Sequence, residues 1–530
     1  AVVNELNHVS DFSRIDVVSG ASDTIDITIT AVNDRPAFAS NPTSMSTAED
    51  TPYTFTIADT LVGKIIDPDV GASVKGIAIC WNQSGANGTW EWSSDNVTWT
   101  ALPADLLSNT VNALYLNVTD KLRFTPAANY TGNPGGLLIR VSDDTMPTTA
   151  SGTRLINYNN YNSPSGPISL FGASYSLTVT AVNDAPVNTV PVAQTASEDT
   201  AKVISGLQIS DVDAGTGNMT VTLSVLNGTI TLLAGAGTVT LTNNSTSSVT
   251  LTGKLADINT LLATTSAVTY TPNVNYNGSD TLTMLTNDNG NTGTGGSLTG
   301  TSTVAITVTA VNDAPVLNTT TVVTMSAINE DPGTPVGVVG SLVSDLFGAI
   351  TDIDTGAVKG MAITAVNGNG TLYYSTNGGT TWSQQSSTAL TTGNALLLDG
   401  NSRVFYVAAA DTNGAKNAFW YRGWDQTNAA TVGSLVDTGA SNTAGVNGGS
   451  TAYSATLGVV GVSVTAVNDA PVNTVPGAQT TVEDTAKVIS GLQISDVDGL
   501  SGAMTVTLAV VNGTITVLAG TGVTITTNST

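Results

Sequence analysis

The sequence predicts an all-β chain organised as a tandem array of β-sandwiches. Three observations carry that expectation: short runs with period-two alternation, turn residues crowded between them, and one octapeptide that returns in register. TVAITVTAV (303–311) and SYSLTVTAV (174–182) alternate apolar and polar residues, as half-buried strands do. Runs of this kind are separated by Gly, Asn, Asp and Pro clusters, the pattern of Greek-key sandwiches. The octapeptide is VTAVNDAP at 179–186, 308–315 and 464–471, with ITAVNDRP at 29–36.

The repeats set the order of the elements. The Asn of the octapeptide falls at Asn33, Asn183, Asn312 and Asn468, so the spacing alternates long, short, long. Longer matches follow the same alternation. NTVPVAQTASEDTAKVISGLQISDVD (188–213) returns as NTVPGAQTTVEDTAKVISGLQISDVD (473–498). DPDVGASVKGIAI (67–79) returns as DIDTGAVKGMAI (352–363), and GTWEWSSDNVTW (88–99) as GTLYYSTNGGTTW (370–382). The expected division is a piece of a preceding repeat at 1–34, a type A repeat at 35–184, a type B repeat at 185–313, a second A at 314–469 and the first half of a second B at 470–530. One helix is expected, over 253–265, where Leu255, Ile258, Leu261 and Leu262 share a face. The A repeats are long for an immunoglobulin-like sandwich of about 100 residues, which implies insertions in their loops.

Composition narrows the function. The 530 residues carry 40 acidic against 15 basic side chains, a net charge of -25. That balance excludes nucleic acid, whose phosphates need basic patches, and favours metal cations or an extracellular setting. There is one cysteine, Cys80, so no intrachain disulfide forms. One histidine, His8, leaves no nucleophile–histidine dyad and no histidine-rich zinc site, and paired carboxylates that recur in every repeat fit architecture better than a single glycosidase centre. No run of 18 apolar residues is present to span a membrane. The N-terminus lacks the basic start and apolar core of a signal peptide. Either such a peptide has been removed or the sequence is a window from something longer. Asn-x-Ser/Thr sequons are frequent, as chance alone gives in a chain this rich in Asn and Thr.

The acidic residues recur at fixed places. The proline after VND fixes a stiff, extended exit suited to a linker. A Glu-Asp pair follows at Glu49-Asp50, Glu198-Asp199, Glu330-Asp331 and Glu483-Asp484, then Asp-x-Asp at Asp67/Asp69, Asp211/Asp213, Asp352/Asp354 and Asp496/Asp498. In the B repeats about ten residues, one strand of roughly 33 Å, separate the two signals, so they lie at opposite ends of the repeat. The penultimate strand ends in Asp143 and Asp144, in Asp288, or in Asp425. Each joint is therefore expected to gather carboxylates from three sources. The joint at 184 collects Asn183, Asp184, Asp211, Asp213, Asp288 and Glu49. The joint at 313 collects Asn312, Asp313, Asp352, Asp354, Asp425 and Glu198. The joint at 34 has Asn33, Asp34, Asp67, Asp69, Asp143 and Asp144, and the joint at 469 has Asn468, Asp469, Asp496, Asp498 and Glu330. Like charges 4 Å apart repel by about 1 kcal/mol in water and about 4 kcal/mol at an effective dielectric of 20. A hard cation with six to eight oxygen ligands removes that penalty, and calcium suits such flexible sites best. The alternative is that these Asp and Asn residues only cap turns.

Across essentially the whole chain the sequence resembles the cadherin-like tandem domains of large bacterial surface adhesins. VNDAP resembles the cadherin linker Asp-x-Asn-Asp-Asn-x-Pro, and DVD and DID its Asp-x-Asp. YTPNVNYNGSDTLTMLTNDNG (270–290) and FTPAANYTG (124–132) are similar to the penultimate-strand signature of these repeats. The resemblance implies a long secreted stalk, stiffened by calcium and used for attachment, biofilm or cell-surface assembly. Its partners would be neighbouring repeats or identical subunits in a filament. Ala181, Ala310 and Ala466 replace the first Asp of the linker, Ala or Arg35 replaces its second Asn, and no Asp-Arg-Glu triplet is evident. Those departures imply one or two ions per joint rather than three.

Two further readings remain open. The A repeats hold Trp81, Trp90, Trp92 and Trp99 in one copy and Tyr373, Tyr374, Trp382, Trp420, Tyr421 and Trp424 in the other. These rings either fill the core, flanking hairpin turns as cross-strand pairs, or face solvent, where Trp90, Trp92, Trp99, Trp382, Trp420 and Trp424 would stack on surface glycans or a partner. If the chain is a complete subunit, the strands at 1–34 are candidates to complete the half repeat of a second copy by strand donation. The two pieces fall short of one B repeat.

Overall fold

The computed structural model describes residues 30–528 apart from 107–111, 157–160, 162, 234–237, 369, 387, 440–444 and 500–501. The N-terminal piece proposed for strand donation lies almost wholly outside the described residues. The fold is all-β, with short strands in many small sheets. The chain divides into two compact units: 1–196 with 200–272 and 279–307, and 197–199 with 273–278 and 308–530.

In the first unit, the first A repeat pairs Thr153–Ile156, Asn112–Asn117, Val74–Asn82, Leu137–Asp143 and Ala173–Tyr175 in one sheet. Tyr53–Thr56, Lys121–Pro126, Gly88–Ser93 and Thr100–Ala101 make the facing sheet. Period-two alternation sends Trp90, Leu122, Phe124, Ile77, Leu116 and Ile139 into one buried cluster. The outer face of the larger sheet is also dry. Ala78, Cys80, Ala113, Tyr115, Met146, Leu155 and Ile168 form a second cluster there. Residues inserted between the penultimate and last strands supply its cover. Arg140 holds that insertion by donating to the carbonyls of Ser169 and Leu170.

The first B repeat has a six-stranded sheet (Gln194–Ser197, Thr299–Thr309, Gly278–Asn287, Asn218–Ser224, Ser248–Lys254, Thr240–Thr242) facing a three-stranded one (Lys202–Ile204, Val268–Pro272, Gly228–Leu232). The helix runs over Leu255–Ala263 and buries Ile258, Leu261 and Leu262. Leu255 is only half-buried. Asn259 on the helix bonds Ile209 through both its amide groups, at 2.9 and 2.8 Å. That clamp fixes the strand leading into Asp211 and Asp213.

In the second unit the second A repeat rebuilds the same plan, with Gly414–Trp424 and Gly360–Val366 central. Arg422 is fully buried and donates to the carbonyls of Ser454, Ala455 and Gly439, repeating the role of Arg140. Each A repeat also carries a short helix that the sequence reading missed, Ile57–Leu61 and the 3-10 turn Val343–Ala349. Neither is long enough to show helical periodicity.

The second B copy differs. Among its described residues the strands are Val472–Thr474 paired with Gln493–Ser495. Met219, Val221 and Leu223 are 0% exposed, whereas their counterparts Met504, Val506 and Leu508 are 40%, 52% and 43% exposed. The first copy flanks these residues with Ser248–Lys254 and Gly278–Asn287.

Candidate metal centres at the repeat joints

The first strand of each A repeat is split. Ala37–Phe38 pairs antiparallel with Ile65–Ile66, and then Met45–Ala48 pairs parallel with Leu177–Thr180 of the last strand. The second A repeat does the same through Ile328–Asn329, which pairs parallel with Gly458–Thr465. The parallel pairing carries the Glu of Glu-Asp beside the exit of the last strand. Glu49 is 4% exposed, and its Oε1 accepts the Val182 N–H at 2.6 Å. Glu198 and Glu330, equally buried, accept the N–H of Val311 and Val467 at 2.6 and 2.7 Å.

The linker Asp is held from the other side. Its N–H donates to the second carboxylate of Asp-x-Asp: Asp34 to Asp69 (2.8 Å), Asp184 to Asp213 (2.6 Å), Asp313 to Asp354 (2.8 Å) and Asp469 to Asp498 (2.6 Å). The first carboxylate closes an Asx-type turn onto the backbone of the second, as in Asp211 to Asp213 at 2.8 Å and Asp352 to Asp354 at 3.0 Å. Asp67 and Asp496 do the same. The linker Asn reaches the penultimate strand. Asn183 donates to Asp288 at 2.5 Å, Asn312 to Asp425 at 2.9 Å and Asn33 to Asp143 at 3.3 Å. Asn468 instead donates to its neighbouring carbonyl. Asp144 is exposed and stands outside this network.

Carboxylate oxygens thus converge within 4.8 Å of one another in Glu49/Asp184/Asp213, Glu198/Asp313/Asp354 and Glu330/Asp469/Asp498. The donor set fits a hard cation, because several of its buried oxygens have no hydrogen-bond partner: Glu49 Oε2, Asn183 Oδ1, Asp184 Oδ2, Asp211 Oδ2, Asp352 Oδ2 and Asp469 Oδ2. A buried oxygen without a partner is costly unless something positive meets it. Turn capping accounts for the other oxygen of Asp211 and of Asp352, and it leaves these unexplained.

The sequence reading also missed a second layer. Asp50, Asp199 and Asp331 adopt left-handed backbone (φ 56°, 55° and 51°), matched across the joint by Asn129, Asn275 and Asp411, each at φ 56°. Asp50 accepts the Asn129 N–H at 3.1 Å, and Asp199 accepts that of Asn275 at 2.9 Å. At the third joint Asp331, Asp411 and Asp469 form a fourth acidic group. The signal was present: the asparagines and Asp411 stand three residues before the glycine in FTPAANYTG, YTPNVNYNG and VAAADTNG.

Burial, then the neighbouring carboxylates Asp213 and Asp50, pushes Asp184 above the usual carboxylate range. Burial, then Asp199, Asp354, Glu198 and Asp352, does the same to Asp313. Asp67, Asp211, Asp352 and Asp469 shift upward too, burial leading in each. Asp288 goes down. Burial opposes its ionisation, but the N–H groups of Gly290 and Leu298 and the Asn183 amide more than offset it. Groups raised in the folded state stabilise it below their unfolded pKa of about 3.9, and that contribution is lost as pH rises through the raised value. In calcium-free buffer the melting temperature is therefore expected to rise as pH is lowered from 7 to about 4.5. A melting temperature that falls over that window would contradict the assigned repulsion.

The aromatic set divides. Trp90 and Trp424 are each 1% exposed and Tyr421 is fully buried, so these rings offer no face to a ligand. This corrects the surface reading for Trp90 and Trp424. The hairpins are present, but the register differs from an aromatic pairing: Trp92 stands opposite Thr100, and Tyr374 opposite Ser383. Trp99, half-buried, lies 4.2 Å from the guanidinium of Arg123, which pairs with Glu91 at 2.6 Å. Trp382 donates to the Gly337 carbonyl and meets Phe405 edge-on. Trp92 and Trp420 are half-buried.

No known family profile matches the sequence, and no curated protein matches it. Solved structures do. The chain is similar to "Protocadherin Gamma B2 extracellular cadherin domains 1-5" (14% identity, TM-score 0.39), over 82% of this chain and 60% of that one. It is similar to "Protocadherin gammaB7 EC3-6 cis-dimer structure" (11%, 0.38; 88% and 84%) and to mouse Cadherin-23 EC22-24 (15%, 0.34; 83% and 97%). The match spans about three fifths of the first of these structures. At such identities and TM-scores these likenesses add nothing to the fold, which rests on the chain's own strands and sheets and is all-β.

Proposed function

We propose that this chain is a segment of an extracellular structural stalk or filament, of the bacterial surface-adhesin kind, whose joints are stiffened by calcium. The observation that carries this reading is the recurrence of one set at three joints: a buried Glu from the repeat before, the linker Asp and the second Asp of Asp-x-Asp, with an unpartnered buried oxygen on Glu49 and Asp184, on Asp352 beside the second set, and on Asp469 in the third. At the joint at 184, Glu49, Asp184 and Asp213 would hold the ion, with Asp211 and Asn183 alongside. The ion supplies positive charge that cancels their repulsion, so that linker and flanking repeats become one rigid piece. The extracellular assignment draws on the acidic composition and on the resemblance of the linker and Asp-x-Asp motifs to those of surface adhesins. Neighbouring repeats or identical subunits are the natural partners. The aromatic binding surface has less support, since two of its six tryptophans are core.

The test is calcium titration by calorimetry together with small-angle scattering in millimolar calcium and in chelator. Uptake of calcium and a profile that becomes flexible in chelator are expected. A protein that takes up none, or whose profile ignores it, would reduce the carboxylates to turn caps.

A further inference from the structure

The three joints share a backbone plan but differ at one exposed position. Thr131, Asn277 and Asn413 each precede a glycine with positive φ, Gly132, Gly278 and Gly414. Each follows by two residues the left-handed Asn or Asp of the second layer. Asn277 donates its side-chain N–H to Glu198 Oε2 at 3.1 Å, and Asn413 donates to Glu330 Oε2 at 3.4 Å. At the first joint the residue is Thr131, and Glu49 Oε2 is buried without a partner. The other oxygen behaves alike in all three, bonded to the linker backbone.

We propose that this position sets the cation affinity of each joint, and that the joint at 184 binds calcium more tightly than the joint at 313. The inference rests on the calcium reading above. A carboxylate oxygen has two lone-pair directions. In Glu198 and Glu330 an amide hydrogen occupies one of them and draws charge from the oxygen that would meet the ion. Glu49 keeps both and has no other way to satisfy them. The repeats therefore carry joints of graded strength, so that as calcium falls the joint at 313 loosens before the one at 184.

The experiment uses the whole chain with one of the three Glu-bearing joints left intact, the joint at 34 being common to every variant. Glu198→Gln with Glu330→Gln leaves the joint at 184, and Glu49→Gln with Glu330→Gln leaves that at 313. Calcium is titrated by calorimetry. The dissociation constant at 184 is expected to be about tenfold lower than at 313. Thr131→Asn is expected to raise the first by about tenfold, and Asn277→Thr or Asn277→Ser to lower the second by about tenfold. In chelator, Asn277→Thr leaves the buried Glu198 Oε2 without its partner and should lower the melting temperature, and Thr131→Asn offers Glu49 Oε2 a partner and should raise it. Equal constants, or swaps without effect, overturn the proposal. A swap of opposite sign also overturns it, by showing that the amide orients the ligand instead of competing for it. A wild-type chain that takes up no calcium defeats the underlying reading instead.

Discussion

Melting in millimolar calcium is expected to occur about 5–10 °C above melting in chelator, with magnesium giving much less. An ion that binds only the folded joint stabilises it by about 2.7 kcal/mol at a hundredfold excess over its dissociation constant. For cooperative blocks of 150 or more residues, each kcal/mol moves the midpoint by about 2–4 °C. The sign follows from the carboxylates. Folding brings Glu49, Asp184 and Asp213 within 4.8 Å of one another with no basic side chain among them, whereas the unfolded chain keeps them apart. Magnesium demands near-octahedral geometry and gives up water reluctantly, so a set of flexible carboxylates favours calcium. Glu49→Gln leaves the side chain's shape and the Val182 contact in place but removes one charge. It is expected to reduce the calcium increment at its own joint while changing the melt in chelator little. Calorimetric scans at several calcium concentrations would decide the matter. Identical scans with and without calcium would remove the clamp.

Much of this was legible in the sequence because it was written four times. VNDAP, Glu-Asp and Asp-x-Asp are spaced by strand lengths, and strand geometry is regular enough to place Glu49 beside Asp184 and Asp213 without coordinates. The helix at 255–263 was legible from its own periodicity, since it is long enough to put Ile258, Leu261 and Leu262 on one face. What the sequence hid was short or irregular. The five-residue helix Ile57–Leu61 has little more than one turn. The outer core around Cys80 and Tyr115 is covered by a Gly-, Ser- and Asn-rich insertion that reads as loop. Asp50 and Asn129 meet only because both take left-handed backbone, a choice that local composition suggests but does not assign. The tryptophans misled for a simpler reason. Trp90 and Trp92 lie on one strand two residues apart and so on one face, yet only Trp90 sits under the facing sheet.

Asp280→Ala and Asp288→Ala should separate scaffold from joint, and both effects should be large. Asp280 is buried in the first B repeat and, although it follows Asn277 by three residues, bonds none of the joint carboxylates. Its Oδ1 accepts the N–H groups of Leu226 and Thr281, and its Oδ2 accepts the Asn227 N–H and the Tyr270 hydroxyl. Asp288 is equally buried, and it accepts the N–H groups of Gly290 and Leu298 and the Asn183 amide. Truncating either removes an acceptor from three or four donors, of which the Tyr270 hydroxyl keeps the Asn227 carbonyl and the Asn183 amide keeps the Gly296 carbonyl, and each donor left unsatisfied and buried costs about 1–3 kcal/mol. Water entering the vacated space recovers part of that, so a loss of about 3–5 kcal/mol is expected from each in chelator. Calcium then tells them apart. Asp280→Ala should keep the full calcium increment, since nothing it holds reaches a linker. Asp288→Ala leaves the Asn183 side chain tied to the Gly296 carbonyl alone, loosens the linker that presents Asp184, and should lose most of the increment at that joint. Denaturant unfolding of both variants, with and without calcium, reads the two quantities separately. If Asp288→Ala kept the increment of the wild-type chain, the linker Asn would be dispensable for presenting Asp184, and the site would reduce to Glu49, Asp184 and the Asp-x-Asp turn alone.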